Sequence, residues 1–315
     1  MNVTFLLKLI TTFSILASYL TALMISNKVS YLLFLCFASQ LCSSVYSQSF
    51  TEIQFVSFVN QDYTHYNPAV LDFSQKQYLS PRFQRFFGAK KIINTSTLAA
   101  GTQLGPESSF HAGTLIKSFN SGPFIQFNRV GLNLTYQLFD DRDQELKAGL
   151  GLDYVNLRFK SGQNFQGASD ANFDAKLGLW YSYSNFTVGL SFRNLFEPSL
   201  KPLEEETTLT QKINTIFIYK HSFSTSFVYH PHLIVDLEPR VTLLISSIHE
   251  MDLSNFFGVL FSHQNFSLLH FGGYLKDLRI SSYLLNIQLV SGFNIDHEKL
   301  NRSMRYEICF TLFQN

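Results

Sequence analysis

Stretches of nine to thirteen residues in this chain alternate apolar and polar side chains with a period of two. In 129–138 the even positions are Val130, Leu132, Leu134, Tyr136 and Leu138, set against Arg129, Gly131, Asn133, Thr135 and Gln137. In 146–154, Leu146, Ala148, Leu150, Leu152 and Tyr154 oppose Lys147, Gly149, Gly151 and Asp153. In 173–183, Phe173, Ala175, Leu177, Leu179, Tyr181 and Tyr183 oppose Asp174, Lys176, Gly178, Trp180 and Ser182. Ser184-Asn185 allows a tight turn, after which Phe186, Val188, Leu190 and Phe192 resume the apolar face. Segment 233–245 repeats the pattern, with Leu233, Val235, Leu237, Val241, Leu243 and Ile245 against Asp236, Glu238, Arg240 and Thr242. A period of two is the period of a strand. Crossing a bilayer at a tilt takes about 9–11 strand residues, whereas strands of soluble proteins average about 5–6. The pattern therefore points to strands with lipid on one side.

Composition agrees. Of 315 residues, 46% are hydrophobic and only 15% charged, against about 25% charged in soluble domains. Mean hydropathy is nevertheless only +0.05, because Ser, Thr, Asn, Gln and Gly take the places of the charges. A helical membrane protein needs several apolar runs of about 20 residues, and none follows residue 47. The expected fold is all-β, a transmembrane antiparallel β-barrel of the outer-membrane type, with a wet or polar interior. At roughly 20 residues per strand and turn, residues 79–315 hold about 12 strands, and 12–14 fit. The absence of a 20-to-50-residue repeat argues against a propeller. A net charge of +1 gives no electrostatic reason to expect nucleic acid.

The N-terminal region reads as a secretory leader. Lys28 precedes the apolar run Tyr31–Ala38, and Val45-Tyr46-Ser47 offers a cleavage site that leaves Gln48 first. Residues 1–47 are thus the expected signal peptide, with Met24 as a second candidate start. The other reading of residues 5–23 is a retained transmembrane helix. Cleavage would leave Cys309 as the one cysteine of the mature chain, without a partner for a disulfide.

Residues 48–78 lack strong alternation, and are expected as an N-terminal segment in the periplasm or folded into the barrel. Asp140 to Asp143 reads as an acidic turn and Ser161 to Ala171 as a loop. Pro198 to Gln211, with Glu204-Glu205-Glu206, reads as a longer loop with room for a helical turn.

Catalytic chemistry finds no foothold in the sequence. There is no Gly-rich phosphate loop and no serine nucleophile elbow. His230-Pro231-His232 is an incomplete metal site, read as a strand end. No catalytic, cofactor or metal residues are expected. The informative charges lie opposite the apolar faces: Arg129, Lys147, Asp153, Asp174, Lys176, Arg193, Asp236, Glu238 and Arg240. A lipid-facing Arg or Lys costs about 2–4 kcal/mol near the bilayer midplane, so all nine are expected to point inward, with Leu177, Leu179, Leu237, Val241 and Leu243 toward lipid. Both signs occur, which suits a paired, largely closed interior better than a single-sign pore. Such a network is either purely structural or the lining of a selective lumen.

Over roughly residues 58–315 the order of motifs resembles the PorP/SprF family of outer-membrane proteins of the type IX secretion and gliding machinery. Gln61 to Ala69, ending Asn67-Pro68-Ala69, resembles the family's N-terminal motif, and Tyr78 to Gly88 the Arg/aromatic strand after it. Gly131–Tyr136, Lys147–Leu152, Asp174–Leu195, Leu237-Glu238-Pro239 and Tyr306-Glu307-Ile308 follow in order. The resemblance implies a non-enzymatic role in secretion or surface attachment of cargo. Its implied partners are outer-membrane lipid, periplasmic lipoprotein subunits and cargo C-terminal domains, with Asn67, Pro68 and Ala69 as possible docking residues. A different class, an outer-membrane diffusion channel or hydrophobic-solute transporter, fits the same barrel.

Overall fold

Each long alternating run becomes a strand with one face outward and one inward. The computed structural model describes residues 66–70, 77–87, 93–105, 108–141, 143–161, 167–203, 206–224, 227–238, 242–254, 256–264, 268–294 and 304–314. The signal-peptide reading of residues 1–47 and most of the segment 48–78 lie outside them. The barrel strands are β1 (Gln77–Phe87), β2 (Ile93–Gln103), β3 (Phe110–Ser121), β4 (Ile125–Asp141), β5 (Gln144–Phe159), β6 (Ala168–Tyr183) and β7 (Phe186–Arg193). They continue with β8 (Lys212–Tyr219), β9 (Val228–Glu238), β10 (Thr242–Asp252), β11 (Phe257–Gln264), β12 (Leu268–Ile280), β13 (Tyr283–Asn294) and β14 (Met304–Gln314).

Every strand pairs antiparallel with its sequence neighbour, and β1 pairs with β14 through Arg82↔Cys309 and flanking residues. The result is a closed 14-stranded barrel, which leaves no unpaired sheet edge in lipid. An even strand number puts both chain ends at one rim. The turns there at 142–143, 184–185 and 281–282 are tight, whereas the opposite rim carries the long excursion 194–211. Short turns at the periplasmic rim and long loops outside are the habit of such barrels, so the rim with the chain ends is taken as periplasmic.

On β4 the outward residues Val130, Leu132, Leu134, Tyr136 and Leu138 are exposed, Leu132 at 65%, while Arg129, Asn133 and Thr135 are buried. Leu177 and Leu179 on β6 are likewise exposed. A water-soluble protein rarely tolerates so much contiguous apolar surface. Aromatic pairs reinforce this face, Phe110 with Tyr136 at 4.6 Å and Tyr154 with Phe173 at 5.5 Å between ring centroids.

Three expectations change. The run 233–245 is two strands, not one. One strand ends at Glu238 and the next begins at Thr242, on either side of Pro239, a residue that cannot donate to a ladder, and Leu237 and Leu243 become register partners. Arg240 and Val241 lie outside the described residues, as do the side chains of Glu238 and Leu243. Among the described residues of 198–211 there is no helical turn. A two-residue ladder joins Ser199–Leu200 to Thr207–Thr208 instead. Finally, the interior is not uniformly polar. Ile216, Ile234, Ile248, Leu260 and Val290 are buried inside it, because chain segments fill the lumen and give them dry neighbours.

Candidate functional site

The site is the filled half of the lumen lined by β3–β8, built at three levels. The first is a bare patch of wall. Gly149 on β5 and Gly178 on β6 are register partners, so no side chain rises from either strand at that height. Thr135 on β4 is directly opposite Gly149 on its other side. Into this patch comes the segment Tyr66–Val70, whose last three residues form a single 3-10 turn. The space is tight: a β-carbon at Gly149 would run into the backbone of Pro68 and Ala69, and one at Gly178 into the Asn67 carboxamide.

Asn67 does two jobs. Its Nδ2 donates to the wall carbonyls of Leu179 at 2.9 Å and Leu190 at 3.2 Å, which are register partners on β6 and β7. Its Oδ1 accepts from Ala69 N at 2.9 Å, holding the turn that Pro68 starts. Thr135 Oγ1 donates to Pro68 O at 2.6 Å, and Ser191 Oγ donates to Tyr66 O at 2.7 Å. Tyr66, Ala69 and Val70 then pack against Trp180 and the inner belt of Ile216, Ile234, Ile248, Leu260 and Val290. The segment is a plug. The docking residues suggested by the resemblance, Asn67, Pro68 and Ala69, are therefore buried against this chain's own wall. Burial of their polar groups is compensated at each step by a hydrogen bond, which is why the segment can leave water at all.

The second level, toward the outer rim, is ionic. Asp153 Oδ1 lies 3.1 Å from Lys176 Nζ and its Oδ2 lies 3.7 Å from Arg129 Nη1, all three side chains almost fully buried. Glycine again makes the room. Gly131 is opposite Asp153 and Gly151 opposite Lys176, and a β-carbon at either would strike that partner's side chain. Asp174 accepts from Phe196 N at 3.4 Å, and Arg193 lies over the Tyr66 ring at 5.7 Å. Of the charges read as inward, these five share one layer. Lys147 pairs with Glu145 at 2.8 Å lower on β5, and Asp236 on β9 accepts from Asn214 Nδ2 at 2.5 Å; both are buried. The Glu238 side chain and Arg240 lie outside the described residues.

The third level is the excursion 194–211, folded back over the outer mouth. Leu200 and Leu209 from it are buried against Phe119, Phe127, Val155 and Leu157 of the wall. Asp170 Oδ2 accepts from Lys201 N at 2.6 Å, and Asn172 Nδ2 donates to Ser199 O at 3.2 Å. The exposed carboxylate of Glu206 accepts from Ser199 Oγ.

A second polar ladder lines the far wall. Asp252 accepts from Tyr274 OH at 2.5 Å and pairs with Lys276 Nζ at 2.6 Å and His230 Nε2 at 3.5 Å. His232 Nε2 stands 3.6 Å from Glu250. His230-Pro231-His232 thus lies within β9 rather than at a strand end. Among the described residues, no group of three or more His, Cys, Asp or Glu is arranged to hold a metal ion. Sequence reading missed the glycine patch and the buried turn. The signal was present in the inward positions Gly131, Gly149, Gly151, Gly178 and Gly189, where a wall contributes no side chain.

A family model described as "Type IX secretion system membrane protein PorP/SprF" matches residues 47–312. No curated protein matches the sequence. Among solved structures, the toluene transporter TbuX of Ralstonia pickettii aligns over 81% of this chain and 93% of its own, at 10% identity and a TM-score of 0.50. The monoaromatic hydrocarbon channel CymD aligns over 81% and 92%, at 9% identity and a TM-score of 0.50. The deltaS2S3 mutant of the monoaromatic hydrocarbon channel TodX aligns over 82% and 95%, at 10% identity and a TM-score of 0.51. At such identities the likeness is one of fold.

Proposed function

The chain belongs to the PorP/SprF family of type IX secretion system membrane proteins, and from that premise we propose that it is a plugged, non-enzymatic outer-membrane barrel that works by holding partners. The observation that carries this reading is the family match over residues 47–312. The lumen supports it. A wall that spends glycines to seat a plug, with buried ion pairs above it, is built to stay shut. Work must then be done at the rims, because lipid-facing strands meet no soluble protein. The partners are periplasmic lipoprotein subunits of the secretion machine and the C-terminal domains of its cargo. With Asn67, Pro68 and Ala69 committed to the wall, docking falls to the rim loops and to residues 48–65.

The test is purification of the tagged full-length protein from native membranes, with and without residues 50–65. The full chain is expected to bring down secretion subunits or cargo, and the deletion to lose them while the barrel still migrates as a folded, heat-modifiable species. Cargo display and subunit retention that survive the deletion would refute docking through this segment.

A second reading, transport of a hydrophobic solute, is favoured by one feature, the inner belt Ile216, Ile234, Ile248, Leu260 and Val290. Withdrawal of the plug would leave that belt as an apolar lining. Its mark is uptake of a small aromatic hydrocarbon into vesicles carrying the protein alone.

A further inference from the structure

On the outward face of β2–β5 the apolar rows give way to polar ones before the strands end. Leu98, Ile116, Val130 and Tyr154 form one register row across the four strands. The next outward row toward the outer rim is Ser96, Ser118, Asn128 and Asn156. Beyond it come Asn94, Asn120, Gln126 and Arg158. The residues between these two rows, Thr95, Phe119, Phe127 and Leu157, are buried inside, so the polar side chains project outward. Below them the apolar run on β4 extends from Val130 to Leu138. At about 3.4 Å per residue and a tilt of about 40°, that run covers about 20 Å of height, close to the roughly 25 Å apolar band of such barrels. The two polar rows therefore stand above the acyl chains, level with the headgroups of the outer leaflet.

The side chains of these rows are joined. Asn120 Nδ2 donates to Asn94 Oδ1 at 3.1 Å, and Lys160 Nζ donates to Asn120 Oδ1 at 3.5 Å. Gln126 Nε2 donates to Asn128 Oδ1 at 3.2 Å and to Ser118 Oγ at 3.4 Å. Asn156 Nδ2 donates to Asp170 O at 3.2 Å, while the Asp170 carboxylate accepts from Lys201 N over the mouth. These bonds orient the amides and leave them capacity, since a carboxamide offers two donors and two acceptor sites. Neither polar row contains a carboxylate. Neither contains an aromatic ring of the kind that girdles a barrel at this height. Charge is divided along the same hairpin. Arg158 and Lys160 lie at the outer end of β5, whereas the periplasmic turn Asp140-Asp141-Arg142-Asp143 is net acidic.

We propose that this face binds a phosphorylated glycolipid of the outer leaflet, with Arg158 and Lys160 on its phosphate and the amides of Asn120, Gln126, Asn128 and Asn156 on its sugar hydroxyls. The occupant follows from the chemistry of the rows. Cations with no carboxylate among them suit an anion, and a guanidinium matches the oxygens of a phosphate. Carboxamides set side by side present donors and acceptors together, which is what the hydroxyls of a sugar ring need. Phosphatidylglycerol shares the phosphate but has no sugar ring to engage the amides. The acyl chains of the same molecule run down the apolar rows directly beneath, past the exposed Leu132 and Leu152. This inference goes beyond the secretion reading and does not depend on it, since its test needs no secretion partner.

The experiment is native mass spectrometry of the purified full-length protein in a neutral detergent, offered diphosphoryl lipid A or phosphatidylglycerol at equal concentrations. The parent is expected to bind lipid A at least fivefold more tightly than phosphatidylglycerol. Arg158→Gln combined with Lys160→Gln should weaken lipid A at least fivefold. Gln126→Leu combined with Asn128→Leu should weaken lipid A and leave phosphatidylglycerol unchanged, which separates the sugar contacts from the phosphate contacts. Arg279→Gln removes an exposed cation beside the periplasmic turn 281–282 and should stay within twofold of the parent. Heat-modifiable migration establishes that each variant is folded. Equal binding of the two lipids by the parent overturns the proposal, because the face would then take any anionic lipid. Unchanged lipid A binding in the folded Arg158/Lys160 variant also overturns it, and leaves the face to a protein neighbour. An equal loss in Arg279→Gln overturns it as well, since net charge alone would then account for binding.

Discussion

The glycine patch gives the most direct handle on the plug. Gly178→Val adds its β-carbon where the Asn67 carboxamide lies, with Pro68 Cδ at 2.8 Å and Asn67 Cγ at 2.9 Å from the new atom. The turn cannot slide aside, because Gly149 on the neighbouring strand leaves no slack against the backbone of Pro68 and Ala69. Relief therefore requires Asn67 to leave the wall and give up its two bonds to Leu179 O and Leu190 O. At about 1 kcal/mol net each, those bonds contribute about 2 kcal/mol. Forcing a larger side chain into a packed site costs about 1–3 kcal/mol. The plugged state then loses about 3–5 kcal/mol, which is a shift of about 10²- to 4 × 10³-fold toward the unplugged state. The wall itself is not harmed, since Val suits a strand better than Gly does. Single-channel recording of purified protein in planar bilayers is the assay. The parent is expected to be nearly silent and Gly178→Val to open frequently. Gly273→Ala, where a β-carbon meets nothing closer than 3.6 Å, is the matched control and should stay silent. A Gly178→Val protein that folds, shown by heat-modifiable migration, and remains as silent as the parent would refute the seating of Asn67 against the wall.

Asp153→Asn leaves Arg129 and Lys176 buried without their shared carboxylate and should cost about 3–5 kcal/mol, read as a lower urea midpoint for the barrel in vesicles. On the outer face, Leu132→Lys should cost about 2–4 kcal/mol in the same unfolding assay if that position is near the midplane; an unaffected midpoint would mean that the outer face of β4 does not meet lipid. Loss of the Thr135 hydroxyl in Thr135→Val removes one bond to the plug, at Pro68 O, and is expected to give brief openings, far rarer than in Gly178→Val. Edman sequencing of outer-membrane material should begin at Gln48, and residues before 40 would contradict cleavage after Ser47.

The alternation of Val130 to Leu138 against Arg129 to Gln137 fixes which side of β4 meets lipid, because strand side chains project to opposite faces in turn. The same logic carries the buried positions of Asp174 and Lys176 and the outward placement of Leu177 and Leu179. Strand length and the scarcity of charge identify the bilayer, and the order of short motifs identifies the family. All of these are local properties, legible along one stretch of chain at a time. The split at Pro239 was open to reading in the same way. It was obscured because residues placed symmetrically about a turn keep the period of two across it. What no local pattern could supply is register. Gly149 faces Gly178 only because β5 and β6 pair at one offset among several that keep the same faces. Asn67 reaches Leu179 and Leu190 across more than a hundred residues of chain, with nothing in either sequence to announce the other. Sequence by itself therefore determined a membrane barrel with charged residues turned inward. The tertiary structure alone decided that glycines meet to leave bare backbone and that Asn67-Pro68-Ala69 fills it, because that contact depends on the register in which β4 to β7 pair.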